Sequence, residues 1–143
     1  MELLAKAARE GVAPDANALI AAVPYCSFLG ITARIEGGRV ILDMPFDGKL
    51  IGNPVLPAIH GGVIGSLLET AAIVQTVWAT KAVTLPKPVD ITIDYLRSAR
   101  ASASHASATL QRQGRRVVNV HATMWQEDEA KPVAGLRGHF LLA

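Results

Sequence analysis

Residues 60–80 read HGGVIGSLLETAAIVQTVWAT. The stretch contains no proline, and its large apolar side chains occur all round the helical wheel. A helix that is apolar on every side is buried on every side in a folded protein. The sequence therefore predicts one long central helix over residues 60–80, around which the rest of the chain is arranged.

The same stretch is long and apolar enough to raise the question of a membrane span. However, Ser66, Glu69, Thr70 and Gln75 lie near its middle. Polar and charged side chains are costly inside a bilayer. We therefore expect a core helix and no association with a membrane.

Strand patterns flank this helix on both sides. Before it, residues 31–36 and 39–46 surround Gly37-Gly38, which predicts a β-hairpin. In its second strand Val40, Leu42 and Met44 alternate with residues assigned to the other face, Ile41 among them. After the helix, four more strands are predicted, over residues 87–96, 102–112, 116–126 and 132–142.

The remaining segments are shorter or irregular. Residues 1–30 predict a helical N-terminal extension, with a second short helix from Asp15 to Val23 that ends at Pro24. Residues 47–59 contain two glycines and two prolines and predict a long ordered loop without regular structure. The order of elements predicts a single α+β domain over residues 1–143, with an antiparallel sheet wrapped around one central helix.

Composition and charge exclude several classes of protein. Half of the 143 residues are hydrophobic and 18% are charged, which fits a subunit that buries surface against partners. A net charge of +2, without a basic stretch interleaved with aromatic residues, argues against a nucleic-acid partner. Charged residues throughout the first 25 positions interrupt any secretory signal, so we expect a cytoplasmic protein.

Cysteine and histidine give no sign of a metal or of thiol chemistry. Cys26 is the single cysteine, which rules out a disulfide within the chain and a cysteine zinc cluster. No base stands beside Cys26 in the sequence, so it is a poor candidate nucleophile. The three histidines after the central helix fall in separate predicted strands. We therefore expect no metal requirement and no cofactor.

His60, Gly61 and Gly62 begin the central helix. Such glycines can serve packing alone, because they let a helix start close to a sheet. They can also serve chemistry. The first N–H groups of a helix lack partners within it and lie at the positive end of its dipole, where they stabilise a developing oxyanion. Both interpretations stay open on the sequence.

Glu69 is the only ionisable residue between His60 and Lys81. A structural role would require an arginine, backbone donors or water around the carboxylate. Without them, burying the charge costs several kcal/mol. A carboxylate shielded from water is also a better base or nucleophile at neutral pH. The position therefore predicts a catalytic Glu69.

The spacing of these two features limits where they act. Glu69 follows His60 by nine residues, which is about 13.5 Å along the axis of a helix. One helix cannot bring both groups to the same reacting bond. If they act together, the active site lies at an interface between two subunits.

His60-Gly61-Gly62 followed by Leu67-Leu68-Glu69-Thr70-Ala71 resembles the signature of the hotdog-fold thioesterases. Within them the sequence is most similar to the phenylacetate-pathway, or PaaI-like, group. The resemblance covers about residues 30–142. It includes Asn53, Asp94-Tyr95-Leu96-Arg97 and Gly114-Arg115-Arg116.

The resemblance implies a hotdog fold, dimers joined edge to edge into one sheet, often tetramers, and hydrolysis of acyl-CoA or aryl-CoA. By position, the Gly61 N–H would bind the thioester oxygen, with Gly62 beside it. Asn53 would place the carbonyl or the water, and His60 would fix the start of the helix. Glu69 would activate water or attack directly. It replaces an aspartate common in the group, although the related 4-hydroxybenzoyl-CoA thioesterases use glutamate.

Five arginines and no acidic residue lie between Tyr95 and Gln126. They can be solvated residues at strand ends, or they can bind phosphate, because a guanidinium group makes paired hydrogen bonds to such oxygens. CoA carries a pyrophosphate and a 3′-phosphate. Arg97, Arg115 and Arg116 are the first candidates for CoA binding.

Two other functions stay open. A hotdog hydratase or dehydratase would use a loop histidine, but none lies between Phe46 and Pro57. A non-catalytic acyl-CoA-binding module would explain why no serine or threonine clearly matches the family's water-holding residue, for which Thr84 is a weak candidate. The acyl pocket is expected between subunits, lined by residues 47–59 and the N-terminal helices.

Overall fold

The computed structural model describes residues 2–142, in which a six-stranded antiparallel sheet wraps around one long helix. The helices are α1 (Glu2–Glu10), α2 (Ala16–Ala21), α3 (Pro24–Leu29) and the central α4 (Gly61–Thr80). The strands are β1 (Thr32–Glu36), β2 (Arg39–Met44), β3 (Ile51–Asn53), β4 (Ala58–Ile59), β5 (Lys87–Tyr95), β6 (Ser104–Gln113), β7 (Val117–Trp125) and β8 (Ala134–Leu141). The predicted α+β architecture is confirmed.

The sheet has the order β1-β2-β6-β7-β8-β5, and β3 pairs only with β4. Leu42, Ala106, Met124 and Ala134 lie side by side across four strands of its concave face, and all four are buried. The small alanines in this row leave room for α4. Strands β1 and β5 form the two edges of the sheet.

The central helix packs against the sheet, and most of its residues are buried. Leu67, Leu68, Ala72 and Val77 are completely buried against it. Although the helix is long and apolar enough to cross a membrane, more than half of that stretch is buried inside the fold, as in a core helix. A stripe formed by Ser66, Glu69, Thr70 and Ile73 is only half-buried, so the prediction of burial on every side is wrong for this stripe within one chain.

The N-terminal extension is helical, as predicted, but it contains three helices. The Asp15 carboxylate caps α2 by accepting hydrogen bonds from the N–H groups of Asn17 and Ala18, at 2.9 and 3.3 Å. Pro24 begins α3, whereas the sequence had predicted only that it ends the preceding helix. A proline suits the first position of a helix because the missing N–H has no partner there.

The predicted hairpin between β1 and β2 is confirmed, with both Gly37 and Gly38 at positive φ. In β2, Ile41 is buried together with the alternate residues, in contrast to its predicted position on the other face. The prediction of no regular structure over residues 47–59 is wrong. The segment forms a 3₁₀ turn and the β3–β4 pair, and both of its prolines lie in the turn between those strands. That the chain is a single domain stays a prediction.

Candidate active site

The start of α4 leaves one backbone amide free. The His60 N–H donates to the Leu50 carbonyl at 2.8 Å, and the His60 Nδ1 accepts from the Gly62 N–H at 2.9 Å. The N–H groups of Val63 and Ile64 donate to the His60 carbonyl. Within residues 2–142, the Gly61 N–H donates to no protein acceptor. Gly61 is therefore the predicted oxyanion donor whose N–H stays available, while the Gly62 N–H is engaged.

Close contacts explain why glycine occurs here. A Cβ on Gly52 would lie 2.7 Å from the His60 Cα, and one on Gly62 would lie 3.0 Å from the His60 Nδ1. The Tyr95 hydroxyl donates to the Gly61 carbonyl at 2.9 Å and ties the start of α4 to the end of β5. Tyr95 was not predicted as a site residue. Its place directly before Leu96-Arg97 in the family motif is the one sequence signal that pointed to it.

Asn53 lies near the same end of α4. It pairs with Ala58, two residues before His60. Its Oδ1 accepts from the N–H groups of Val55 and Leu56 at 3.1 and 3.3 Å, and the side chain is exposed. The Asn53 oxygen therefore shapes the β3–β4 turn, while its amide nitrogen stays available for a ligand.

A groove of 430 Å³ runs past the start of the helix. Gly61 and Ile64 line it from α4, and Tyr95, Arg97 and Ser98 line it from the end of β5 and beyond. The groove thus places the free amide residue beside one of the predicted phosphate-binding arginines.

Glu69 faces a separate cavity of 280 Å³. The cavity lies between α4 and the segment of α2 and α3, which contributes Leu19 and Ile20 from α2, Val23 from the link between them and Cys26 from α3. Within the described residues, the Glu69 carboxylate has no hydrogen bond and no ion pair. An arginine or backbone donors therefore do not satisfy Glu69 within one chain. Glu69 is half-buried and not fully buried as predicted, so contact with water stays open as a structural explanation.

Two hydroxyls in the cavity wall are engaged within α4, whereas the hydroxyl of the exposed Tyr25 has no protein partner among the described residues. The Ser66 hydroxyl donates to the Gly62 carbonyl at 2.8 Å, and the Thr70 hydroxyl donates to the Ser66 carbonyl at 2.7 Å. Burial raises the pKa of the Cys26 thiol, while its contact with the Thr70 hydroxyl acts in the opposite direction. A thiol that stays protonated is a weak nucleophile. Glu69 is therefore the candidate catalytic group in this cavity.

Gly61 and Glu69 do not meet within one chain. They are eight residues apart on α4, which corresponds to about 12 Å along the helix axis. The two groups open on different spaces, the groove of 430 Å³ and the cavity of 280 Å³. A single chain therefore keeps the two predicted catalytic groups apart.

The predicted CoA-binding arginines lie at opposite ends of the sheet. Arg97 follows β5 and lines, together with Arg100 and Lys131, a second groove of 480 Å³. Arg115 and Arg116 are exposed in the turn between β6 and β7. The nine residues of β7 separate the two groups by roughly 27 Å. One chain does not bring these three arginines together.

Comparison with known families identifies the family of the chain. The acyl-CoA thioesterase N-terminal domain family matches residues 53–141, which include the whole of α4 and all of the strands after it. The chain belongs to the acyl-CoA thioesterase family. The predicted membership of the hotdog-fold thioesterases and the prediction of a thioesterase are confirmed.

Three proteins illustrate how similar this member of the acyl-CoA thioesterase family is to known relatives. The medium/long-chain acyl-CoA thioesterase YigI of Salmonella typhimurium is 28% identical, in an alignment that covers 75% of this chain and 78% of YigI. A protein from Chromobacterium violaceum of known crystal structure is 34% identical, with a TM-score of 0.75, over 100% of this chain and 98% of that one. The PaaI protein of the E. coli phenylacetic acid degradation operon shares the fold, with a TM-score of 0.76 at 23% identity, over 97% and 94% of the two chains.

Proposed function

We propose that this chain hydrolyses acyl-CoA thioesters at a site built from two copies, in which Glu69 of one copy faces the start of α4 of the other. The observation that carries the proposal is that Glu69 and the Gly61 N–H are both unengaged but about 12 Å apart along one helix. Two copies with their central helices antiparallel would place each Glu69 beside a Gly61 from the other copy.

In this arrangement the Gly61 N–H holds the thioester oxygen and stabilises the charge that develops on it. Glu69 takes a proton from water, which attacks the carbonyl carbon, or attacks that carbon itself and is then released by water. The carbon–sulfur bond breaks, the CoA sulfur leaves and takes up a proton, and the products are a carboxylic acid and CoA. His60 holds the helix start in place through its bonds to Leu50 and Gly62, and Asn53 orients the carbonyl or the water.

The edge of the sheet supports a dimer. β5 is an edge strand, and its Val89 and Tyr95 expose 63% and 56% of their surface, as does the adjacent Leu96 at 56%. Pairing β5 with β5 of a second copy would cover these side chains and continue the sheet. It would also bring the central helices of the two copies side by side. We infer a homodimer of this kind, with tetramers formed from two such dimers.

The CoA portion is assigned to the groove beside Gly61. Arg97 lines this groove and is the one predicted arginine close to the proposed oxyanion site. Arg115 and Arg116 would contribute only if a second copy brings their turn to the same ligand. The similarity to YigI favours aliphatic acyl groups of medium or long chain length as substrates. We expect this chemistry to take place in the cytoplasm.

The decisive experiment compares wild type with Glu69→Gln on a panel of saturated and aromatic acyl-CoAs, with detection of the released thiol. The variant keeps the size of the side chain and loses the carboxylate, so we expect turnover to fall by at least about 100-fold. CoA affinity and melting temperature should stay unchanged. A protein that binds CoA but hydrolyses no thioester would be a binding module, and water addition to an enoyl-CoA would identify a hydratase.

A further inference from the structure

We propose that the cavity behind Glu69 binds an aliphatic acyl chain of about ten carbons, and that Ile73 sets its length. A cavity of roughly 150 Å³ holds one benzene ring of six carbons, so the 280 Å³ here corresponds to roughly ten carbons. The inference rests on the proposed thioester hydrolysis and narrows its substrate class.

The position of the cavity fits this role. Glu69 stands at its wall, so a thioester carbonyl at Glu69 would direct the acyl chain into the space between α4 and the N-terminal helices. Leu19, Ile20 and Val23 form one wall, and Ile73 and Val74 form the facing wall on α4. Burial of each methylene against such side chains strengthens binding about fourfold.

The hydrogen bonding of the walls leaves few groups free to pair with a polar acyl group. Ser66 and Thr70 already donate to backbone carbonyls of α4, and the Cys26 thiol contacts Thr70. Within the described residues, the hydroxyl of the exposed Tyr25 is the one wall hydroxyl without a protein partner. A polar group on the acyl chain that does not reach Tyr25 would be buried without a partner, which weakens binding about tenfold or more.

Ile73 is the residue best placed to limit chain length. It follows Glu69 by one turn of the helix, about 6 Å along the axis, and its side chain is half-buried at the cavity wall. A larger side chain at this position reduces the space beyond Glu69, and a smaller one extends it. Because Ile73 lies in the half-exposed stripe of α4, its replacement disturbs the core less than a change at Leu67 or Leu68 would.

The test measures binding of S-alkyl-CoA thioethers, which cannot be hydrolysed, from butyl to hexadecyl, by calorimetry. For wild type we expect affinity to rise about fourfold per methylene up to a chain of about ten carbons and then to level off or fall. Ile73→Trp should move this maximum to shorter chains, and Ile73→Ala should move it to longer ones.

Ile91→Ala is the matched control. Ile91 is also a half-buried isoleucine packed against the core, but it lies on β5 and does not line the cavity. It should leave the chain-length maximum where it is. Affinity independent of chain length, or an equal shift in Ile91→Ala, would overturn the inference. Loss of hydrolysis with the chain-length maximum intact would instead count against the proposed function alone.

Discussion

Gln75 and Glu69 lie on the same helix, less than two turns apart, and their surroundings are opposite. Gln75 is buried against the sheet, and its Oε1 accepts a hydrogen bond from the Val40 N–H at 2.8 Å. Glu69 faces a cavity on the other side of the helix and has no partner within the described residues. The core side of α4 satisfies its polar groups, whereas the cavity side leaves its charge unpaired.

The start of the same helix also has one polar group with a partner and one without. The Gly62 N–H is bound by His60, and the Gly61 N–H beside it is free. Bonded groups of this kind stabilise the fold, and unbonded ones are available to a substrate. Substitutions at the two kinds of position should therefore change different properties of the protein.

The largest expected effect after Glu69→Gln is that of Gly61→Pro. Proline at the first position of a helix removes the N–H but fits the backbone, and His60 already has the extended conformation, φ −58° and ψ 134°, that precedes proline readily. Loss of an oxyanion donor should lower kcat by about 100- to 1,000-fold. Steady-state hydrolysis and thermal melting are the measurements.

Gly61→Ala is the control for this experiment. It adds the same Cβ, which would lie 3.4 Å from the Tyr95 hydroxyl, but keeps the N–H. It should therefore retain most of the activity. Equal loss in the alanine and proline variants would show that contact with Tyr95, and not the donor, matters at this position.

The two-copy site can be tested by mixing the two inactive variants. A heterodimer of Glu69→Gln and Gly61→Pro, co-expressed with two affinity tags, contains one site with both groups intact and one with neither. We expect up to about half of the wild-type activity per dimer to return. If each chain carried a complete site of its own, the heterodimer would stay as inactive as its parents.

Gln75→Met should lower the stability of the protein and leave its activity unchanged, whereas a change at Glu69 should do the opposite. It removes the acceptor of the buried Val40 N–H and leaves that amide without a partner. We expect unfolding free energy to fall by about 1–3 kcal/mol in denaturant titration. The kcat of the folded protein should stay at the wild-type value, and a drop in kcat comparable to the loss in Glu69→Gln would remove the contrast between the two residues.

The smallest effect is expected at Glu129, whose carboxylate pairs with Arg39 on the surface. The hydrogen bond from Arg39 lowers the pKa of Glu129. A lowered pKa contributes stability above the carboxyl's ordinary range, and this contribution is lost as the pH falls through the lowered value. Because both side chains are exposed, Glu129→Gln should cost no more than about 0.5 kcal/mol at neutral pH. The difference from wild type should vanish in acid and shrink in high salt.

The sequence predicted the parts of the fold that follow from local pattern. The central helix was visible because a long apolar stretch without proline has few other conformations, and the Gly37-Gly38 hairpin because both residues adopt positive φ. Pro24 and the β3–β4 pair were misjudged, because proline is compatible with the first turn of a helix and with the turn of a hairpin.

The candidate site was predicted only in part for a similar reason. Glu69 and Gly61 stand out in the sequence because one is the lone charge of an apolar helix and the other begins it. The separation of Arg97 from Arg115 depends on strand order and length, which no local pattern reveals. The bond between Tyr95 and Gly61 joins residues 34 positions apart and likewise exists only in the folded chain.

The edge strand β5 has a consequence for how the protein is produced and stored. Its outer side offers the unpaired backbone groups of about every second residue beside exposed apolar side chains, and such an edge readily joins strands of other molecules. A variant that cannot form the proposed dimer is therefore expected to precipitate and not to persist as a well-behaved monomer. In this protein, solubility would depend on assembly, because the same edge strand determines both.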